Sequence, residues 1–315
     1  MKTLVLMAQP IAQNIAMQQD LAACGENDLG EIFRSDISSP ARALRKLHGY
    51  LPLPGYQGWF DTWYLEIEQY DMVIGIAYQS TYRLFKILHK KYPNKRLILY
   101  WWDPVGKTLY PDKVNPETCE RWTFCKRDAA RYGIRYNRGM LPGGQNIKPI
   151  CNHQTYTFDL SFVGAGDGGA WYTIRPVVLE DLKKICDKQG LSTSFSLFYS
   201  RAKGPFALNK RMTGDEWARI ERETLAIVDI VHPDECWLTL RTISAMFEGK
   251  KVVTNNIDIV HEPFYDANNI FILGQDSDEN LQSFLHTPFI PVSSKILEQY
   301  SVAAWLNRFG AYNGS

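Results

Sequence analysis

The sequence predicts an α/β protein built of two doubly wound units. Three observations predict it. Short apolar runs alternate with helix-patterned segments through the first half of the chain. A proline- and glycine-rich stretch, Gly139-Met-Leu-Pro-Gly-Gly-Gln-Asn-Ile-Lys-Pro149, interrupts the alternation. The alternation then restarts at Phe158. Strands joined through helices need long crossovers, which makes them parallel and puts helices on both sheet faces.

The elements follow in order. Residues 3–8 are an apolar first strand, and Ile11 to Ala23 fit a helix. Residues 34–64 are aromatic and proline-rich and read as irregular. Met72-Val-Ile-Gly-Ile-Ala77 is a strand, Thr81 to Lys91 a helix, and Arg96-Leu-Ile-Leu-Tyr-Trp-Trp102 a strand. Pro116 to Tyr132 reads as one helix, with Pro in its first turn and Gly133 as its stop. Beyond the linker come a strand at 158–163, a helix near 171–189 and a strand at 194–199. Thr213-x-x-Glu216 is a capping-box pattern that opens a further helix. Ala226 to Val231 is a strand, a helix runs from about Thr239 to Gly249, and Lys251-Val-Val-Thr is β-rich. Asn269 to Leu273 is a strand, and Val302 to Phe309 is a last helix. The expected division is 1–150, 151–298, and a C-terminal helix, 299–315, crossing back to the first unit.

Composition narrows the function classes. The 315 residues are 45% apolar and 13% aromatic, enough for real cores. A net charge of +1 marks no nucleic-acid binder. Six scattered cysteines form no Cys-x-x-Cys pair or zinc spacing, and no secretion signal opens the chain, so we expect a cytoplasmic protein. No apolar run reaches the roughly 18 residues of a membrane span.

The candidate chemistry gathers at strand ends. Open α/β sheets bind ligands beyond the carboxyl ends of their strands, and two such units are expected to face a cleft. The helix start at Thr239, Leu240, Arg241 and Thr242 offers free N–H groups and a positive dipole end, which suit an anion. Arg241 could pair bidentately with a diphosphate, and His232 could hydrogen-bond a phosphate or donate a proton. Gly164 and Gly166, in Phe162-Val-Gly-Ala-Gly-Asp-Gly-Gly169, let the backbone approach a ligand, although a plain glycine-rich turn has the same composition. Arg201 and Lys203 follow another strand and could neutralise a leaving diphosphate.

Asp103, in Trp101-Trp-Asp-Pro104, is the carboxylate of the first unit best placed as a general base, with Trp101 or Trp102 as a stacking surface. Asp before Pro also makes a simple turn. His232, Asp234 and Glu235 are too few and too close for a metal site, and Asp276-Ser-Asp278 reads as helix capping, so no metal is expected. The basic helix Arg83–Arg96, with the aromatic segment Tyr50–Tyr64, could lie against an anionic membrane, or it is an ordinary solvated helix face.

The chain resembles the two-Rossmann, GT-B type of bacterial glycosyltransferase found in O-antigen and capsule gene clusters. The resemblance is carried by Asp159-Leu-Ser-Phe-Val-Gly164, Asp229-Ile-Val-His-Pro233, Leu238-Thr-Leu-Arg-Thr-Ile243, Gly249-Lys-Lys-Val-Val-Thr-Asn255, Phe264–Ile272, Tyr300–Leu306 and, in the first half, Cys125–Gly133. It implies a nucleotide diphosphate sugar as co-substrate in the second domain, no other cofactor, and a glycan acceptor, lipid-linked at the inner face of the cytoplasmic membrane, in the first. Read with the positions above, it gives expected donor contacts from Gly164, Gly166, Arg201, His232 and Thr239–Thr242, and an Asp103 base only if the reaction inverts the anomeric centre. Ser244 stands where many such enzymes carry a ribose-binding glutamate. A nucleotide-sugar 2-epimerase and a catalytically silent glycan- or partner-binding subunit of the same fold remain alternatives.

Overall fold

The computed structural model describes residues 1–7, 14–51, 54–106, 108–149, 156–166, 174–198, 204–208, 212–232 and 238–310. Two compact units emerge, Met1–Gly143 together with the segment from Ser301, and Gly144–Tyr300.

The first unit is built on β1 (Thr3–Met7), α1 (Asn14–Ala23), β2 (Asn27–Glu31), α2 (Ser39–Tyr50), β3 (Met72–Ile76), α3 (Gln79–Lys91), β4 (Arg96–Trp101), β5 (Glu120–Thr123), α4 (Lys126–Tyr132) and β6 (Arg135–Tyr136). All six strands are parallel, in the order β2-β1-β3-β4-β5-β6. The sheet is covered on both faces. Leu4, Leu6, Val73, Leu97 and Leu99 pack with Tyr56, Phe60, Trp63, Phe85 and Leu88 on one side. Val5, Ile74, Ile98 and Tyr100 pack with Met17, Leu21, Trp305 and Phe309 on the other. Alternation of side chains along each strand sends successive residues to opposite cores.

Several expectations change here. Pro116–Tyr132 is not one helix: β5 lies inside it, and only α4 is helical. Glu120 explains the strand, because it pairs with Arg96 (2.5 Å) and Arg135 (2.6 Å) on the strands to either side. Gly133 does end α4, at φ 59°. Polar Asn27-Asp-Leu-Gly-Glu31 is the edge strand β2, where one side needs no apolar run. The segment 34–64 holds α2, and its aromatics turn inward: Tyr56, Phe60 and Trp63 are buried, so they form core rather than a membrane-facing surface. Among the described residues no helix is long and apolar enough to cross a membrane.

The second unit contains β7 (Phe158–Ala165), α5 (Ile174–Lys188), β8 (Thr193–Phe198), α6 (Gly214–Arg222), β9 (Thr224–Asp229), α7 (Leu240–Glu248), β10 (Lys251–Thr254), β11 (Ile270–Ile272), α8 (Leu281–His286) and α9 (Ser294–Glu298). Its strands are again all parallel, ordered β11-β10-β9-β7-β8. The chain starts at β7, one strand in from the edge, goes outward to β8, and returns past β7 to β9. The strand order therefore reverses between β7 and β9, and that switch point opens a crevice at their carboxyl ends. The capping box forms as patterned, with Thr213 and Glu216 bonding each other's backbone. At the opposite end of the sheet Lys251 is buried, its ammonium bonded to Phe284 O (2.7 Å), Thr287 Oγ1 (2.8 Å) and Asn268 O. Asp276 accepts the Ile272 N–H (2.6 Å) and so closes the turn after β11.

The last helix, α10 (Val302–Gly310), belongs to the first unit. Trp305 and Phe309 are fully buried against Tyr100 and Trp122. Asn137 donates to Trp305 O (3.1 Å) and Arg96 to Phe309 O (2.8 Å).

Candidate functional site

The switch point of the second unit gathers most of the described candidate residues. Strand β9 ends at Asp229, which is buried because the parallel strands β7 and β10 flank it and α7 lies over it. An isolated carboxylate there would be costly, so its oxygens must be satisfied. Oδ2 accepts from the hydroxyls of Thr239 (2.7 Å) and Thr242 (2.8 Å). Oδ1 accepts from Arg241 Nη1 (3.0 Å). One side chain thus fixes the start of α7 at three points. Thr239 is also the N-cap, and its hydroxyl accepts the Thr242 N–H at 3.2 Å. The Leu240 and Arg241 N–H groups are left without a partner inside the helix, and they carry the positive end of its dipole.

Arg241 reaches further. Its Nη2 donates to Val163 O (2.8 Å), and its guanidinium lies 4.8 Å above the Phe162 ring. Gly164 makes this possible. A Cβ there would stand 2.8 Å from the Phe162 ring and 3.5 Å from Arg241 Nη2. Gly164 therefore admits the Phe162–Arg241 stack into the strand end. Gly166 continues the pairing, donating to Phe198 O at 2.9 Å.

The expected diphosphate clamp changes character with these contacts. The charge of Arg241 is balanced by Asp229, and its side chain is mostly buried. Thr242 is buried and faces Asp229. Both side chains position the helix start; the outward groups are the Leu240 and Arg241 backbone N–H groups. Sequence reasoning missed Asp229 as the hub, although an acid at a strand's carboxyl end, ten residues before an N-cap threonine, was a readable signal.

It also missed Arg175. This residue stands in the first turn of α5, donates to Ala165 O (3.0 Å), and lies 5.6 Å from the Phe162 ring. Two arginines thus hold the carboxyl end of β7, one from each helix that starts beside it. His232 follows β9 and is half-buried. Its neighbour Val231 is held by both sides of the Asn255 amide, at 2.8 Å each. Arg201, Lys203, Asp234 and Glu235 lie outside the described residues. Ser244 lies about one turn into α7, and its hydroxyl donates to Glu248 at 2.8 Å.

In the first unit Asp103 lies just past β4, half-buried, near Tyr78 at the end of β3. Burial raises the Tyr78 phenol pKa, and the Asp103 charge raises it further. Trp101 cannot serve as a stacking platform. It is fully buried, and its indole donates to Leu109 O at 2.7 Å. Trp102 is half-buried, edge-on to Tyr100. Among the described residues no three His, Cys, Asp or Glu gather as metal ligands.

No protein-family model and no curated protein matches the sequence. Solved structures do. Sucrose-phosphate synthase from Thermosynechococcus elongatus aligns over 99% of this chain and 98% of its own, with a TM-score of 0.59 and 11% identity. A glycosyltransferase from Rickettsia africae ESF-5 aligns over 98% and 97%, with a TM-score of 0.55 and 11% identity. The UDP-GlcNAc 2-epimerase of Methanocaldococcus jannaschii, solved with UDP-GlcNAc and UDP, aligns over 99% and 100%, with a TM-score of 0.51 and 11% identity. The two parallel-sheet α/β units have the GT-B fold.

Proposed function

We propose that the chain is a glycosyltransferase that binds a nucleotide diphosphate sugar at the switch point of its second unit and passes the sugar to a glycan acceptor. One observation carries the reading. At the carboxyl ends of β7 and β9, the capped start of α7 presents two backbone N–H groups beside a strand end held by Arg175 and Arg241. Backbone donors at a helix start are a preorganised anion site, and they can stabilise a diphosphate as it leaves. The solved sucrose-phosphate synthase and glycosyltransferase of the same fold, both named for sugar transfer or sugar-phosphate synthesis, support this reading.

Roles follow from position. Leu240 and Arg241 give backbone N–H groups to the diphosphate. Thr239 caps the helix that orients them, and Arg175 adds positive charge. Gly164 and Gly166 keep the strand end open to close approach, and His232 hydrogen-bonds the donor. Arg201 is assigned to the leaving diphosphate from the sequence alone. Asp103 is the base if the reaction inverts; if it retains, a front-face scheme needs no protein base. A surface-polysaccharide acceptor and a cytoplasmic, peripheral-membrane location rest on the sequence resemblance.

The epimerase reading is favoured by one observation, the full-length match to a UDP-GlcNAc 2-epimerase. One experiment separates the readings. UDP-, GDP-, dTDP- and CMP-sugars are screened for thermal stabilisation, and the stabilising donor is then followed for turnover. Slow hydrolysis that releases the free nucleotide, a diphosphate from a UDP-, GDP- or dTDP-sugar, supports a transferase. Interconversion of the sugar with no acceptor supports an epimerase. Stabilisation without turnover leaves a binding subunit, and no stabilisation by any nucleotide refutes the donor site. Arg175→Ala should weaken binding of the stabilising nucleotide about tenfold, the loss of one charge-assisted contact.

A further inference from the structure

The first unit contains a pocket of about 210 Å³ that the donor reading does not use. Its walls are Phe33, Gly49 and Tyr56, the α2 side chains Arg45 and Lys46, and Gln79, Ser80 and Arg83 of α3. Three cations therefore meet in one cavity. Among the described residues no carboxylate pairs with Arg45, Lys46 or Arg83.

The cations are held in place by contacts other than ion pairs. Arg45 lies 4.0 Å over the Phe33 ring, and Arg83 lies 3.8 Å over the Tyr56 ring. Arg83 also donates to His48 O (3.2 Å), Gly49 O and Leu51 O (3.1 Å), so it ties down the end of α2. Gly49 lies against the same two groups: a Cβ there would make ordinary contacts, 3.6 Å from Tyr56 Oη and 3.8 Å from Arg83 Nη1. The start of α3 enters the same cavity through Gln79 and Ser80, and no side chain caps it. Burial lowers the Arg45 pKa, the Tyr56 phenol opposes that, and the nearby Arg42 lowers it further.

Uncompensated cations on an aromatic floor, beside an open helix start, fit an oxyanion. We infer that this pocket is a second anion site, which takes a phosphate group through Arg45, Lys46 and the start of α3, with Arg83 as the positioning residue. The phosphate can come from a soluble phosphorylated compound or from a lipid headgroup. The outer face of α2 makes the second source worth a separate arm, since Leu44 and Leu47 are more than half exposed there.

The test is a calorimetric titration of the full chain with inorganic phosphate, paired with flotation on phosphatidylglycerol and phosphatidylcholine vesicles. Arg45→Met keeps an apolar contact with Phe33 and removes the charge, so it separates binding from folding. Lys46 is exposed, so Lys46→Met removes a charge without disturbing the core. Each variant should weaken phosphate binding at least fivefold while nucleotide binding in the second unit stays as in the parent. Capture by phosphatidylglycerol alone, lost in both variants, assigns the phosphate to a lipid; phosphate binding without flotation assigns it to a soluble compound. Binding within twofold of the parent in Arg45→Met, or no binding to phosphate or to either vesicle, overturns the inference. The donor assignment in the second unit stands or falls separately.

Discussion

Asp229 offers the sharpest test of how the second unit holds its site. Asp229→Ala removes the acceptor for two hydroxyls and the counter-charge of Arg241. Breaking one side of a buried ion pair costs roughly 3–5 kcal/mol. The Arg241 side chain is 16% exposed, so water can reach part of it, and the low end of that range applies. The expected loss is about 3 kcal/mol, or roughly 6–12 °C in the melting temperature of a domain of about 150 residues. Asp229→Asn gives a finer reading. The amide oxygen can still accept from Thr239 and Thr242, but the NH2 then faces Arg241 Nη1, donor against donor. Only the arginine contact is lost, so the cost should be about half. Thermal and urea unfolding, followed by far-UV circular dichroism and tryptophan fluorescence, would record both variants. The transition of the second unit alone should move. Two variants within 0.5 kcal/mol of the parent, or a shift confined to the first unit's transition, would show that Asp229 does not organise the helix start.

Three further outcomes are expected. Gly164→Ala should cost about 1–3 kcal/mol, because its Cβ drives into the Phe162 ring, and donor affinity should fall with it, as measured by calorimetry. Asp103→Asn should lower kcat with nucleotide binding unchanged if the reaction inverts, whereas full turnover returns Asp103 to a turn-forming role. Lys251 should make stability pH-dependent. Burial lowers its pKa to about 8 from an ordinary 10.5, so above pH 8 the unfolded chain holds more protons and stability rises towards pH 10. In Lys251→Met that rise is absent, so urea midpoints should show the substitution to be less costly at pH 7 than at pH 10.

The parts legible in the sequence were those set by apolar periodicity. The central strands β1, β3, β4, β7 and β9 are buried on both faces and read as near-continuous apolar runs. What failed was set by tertiary context. β2 and β5 are polar because their partners are supplied from elsewhere: an edge in one case, Arg96 and Arg135 in the other. The aromatic stretch 56–63 has no simple period, since it packs in 3-10 turns whose rings fill one core. At the site, the helix start at Thr239 could be read from its capping residue, but the direction of its side chains could not. Thr242 and Arg241 point to Asp229, a relation across ten or more residues that no local pattern encodes. Arg175 was invisible for the same reason, because its acceptor is a carbonyl of another element.

The placement of α10 has a consequence for how the chain matures on the ribosome. Trp305 and Phe309 fill one face of the first unit's sheet, and losing either to alanine would cost about 3–5 kcal/mol. Synthesis runs from the amino end, so the earliest strands emerge long before the helix that seals them. The second unit has all of its strands by Ile272 and can fold while the first still exposes Tyr100 and Trp122. The unit that begins the chain is thus the last to be finished. For the time needed to translate everything in between, it presents an open aromatic face to whatever chaperone attends the nascent polypeptide.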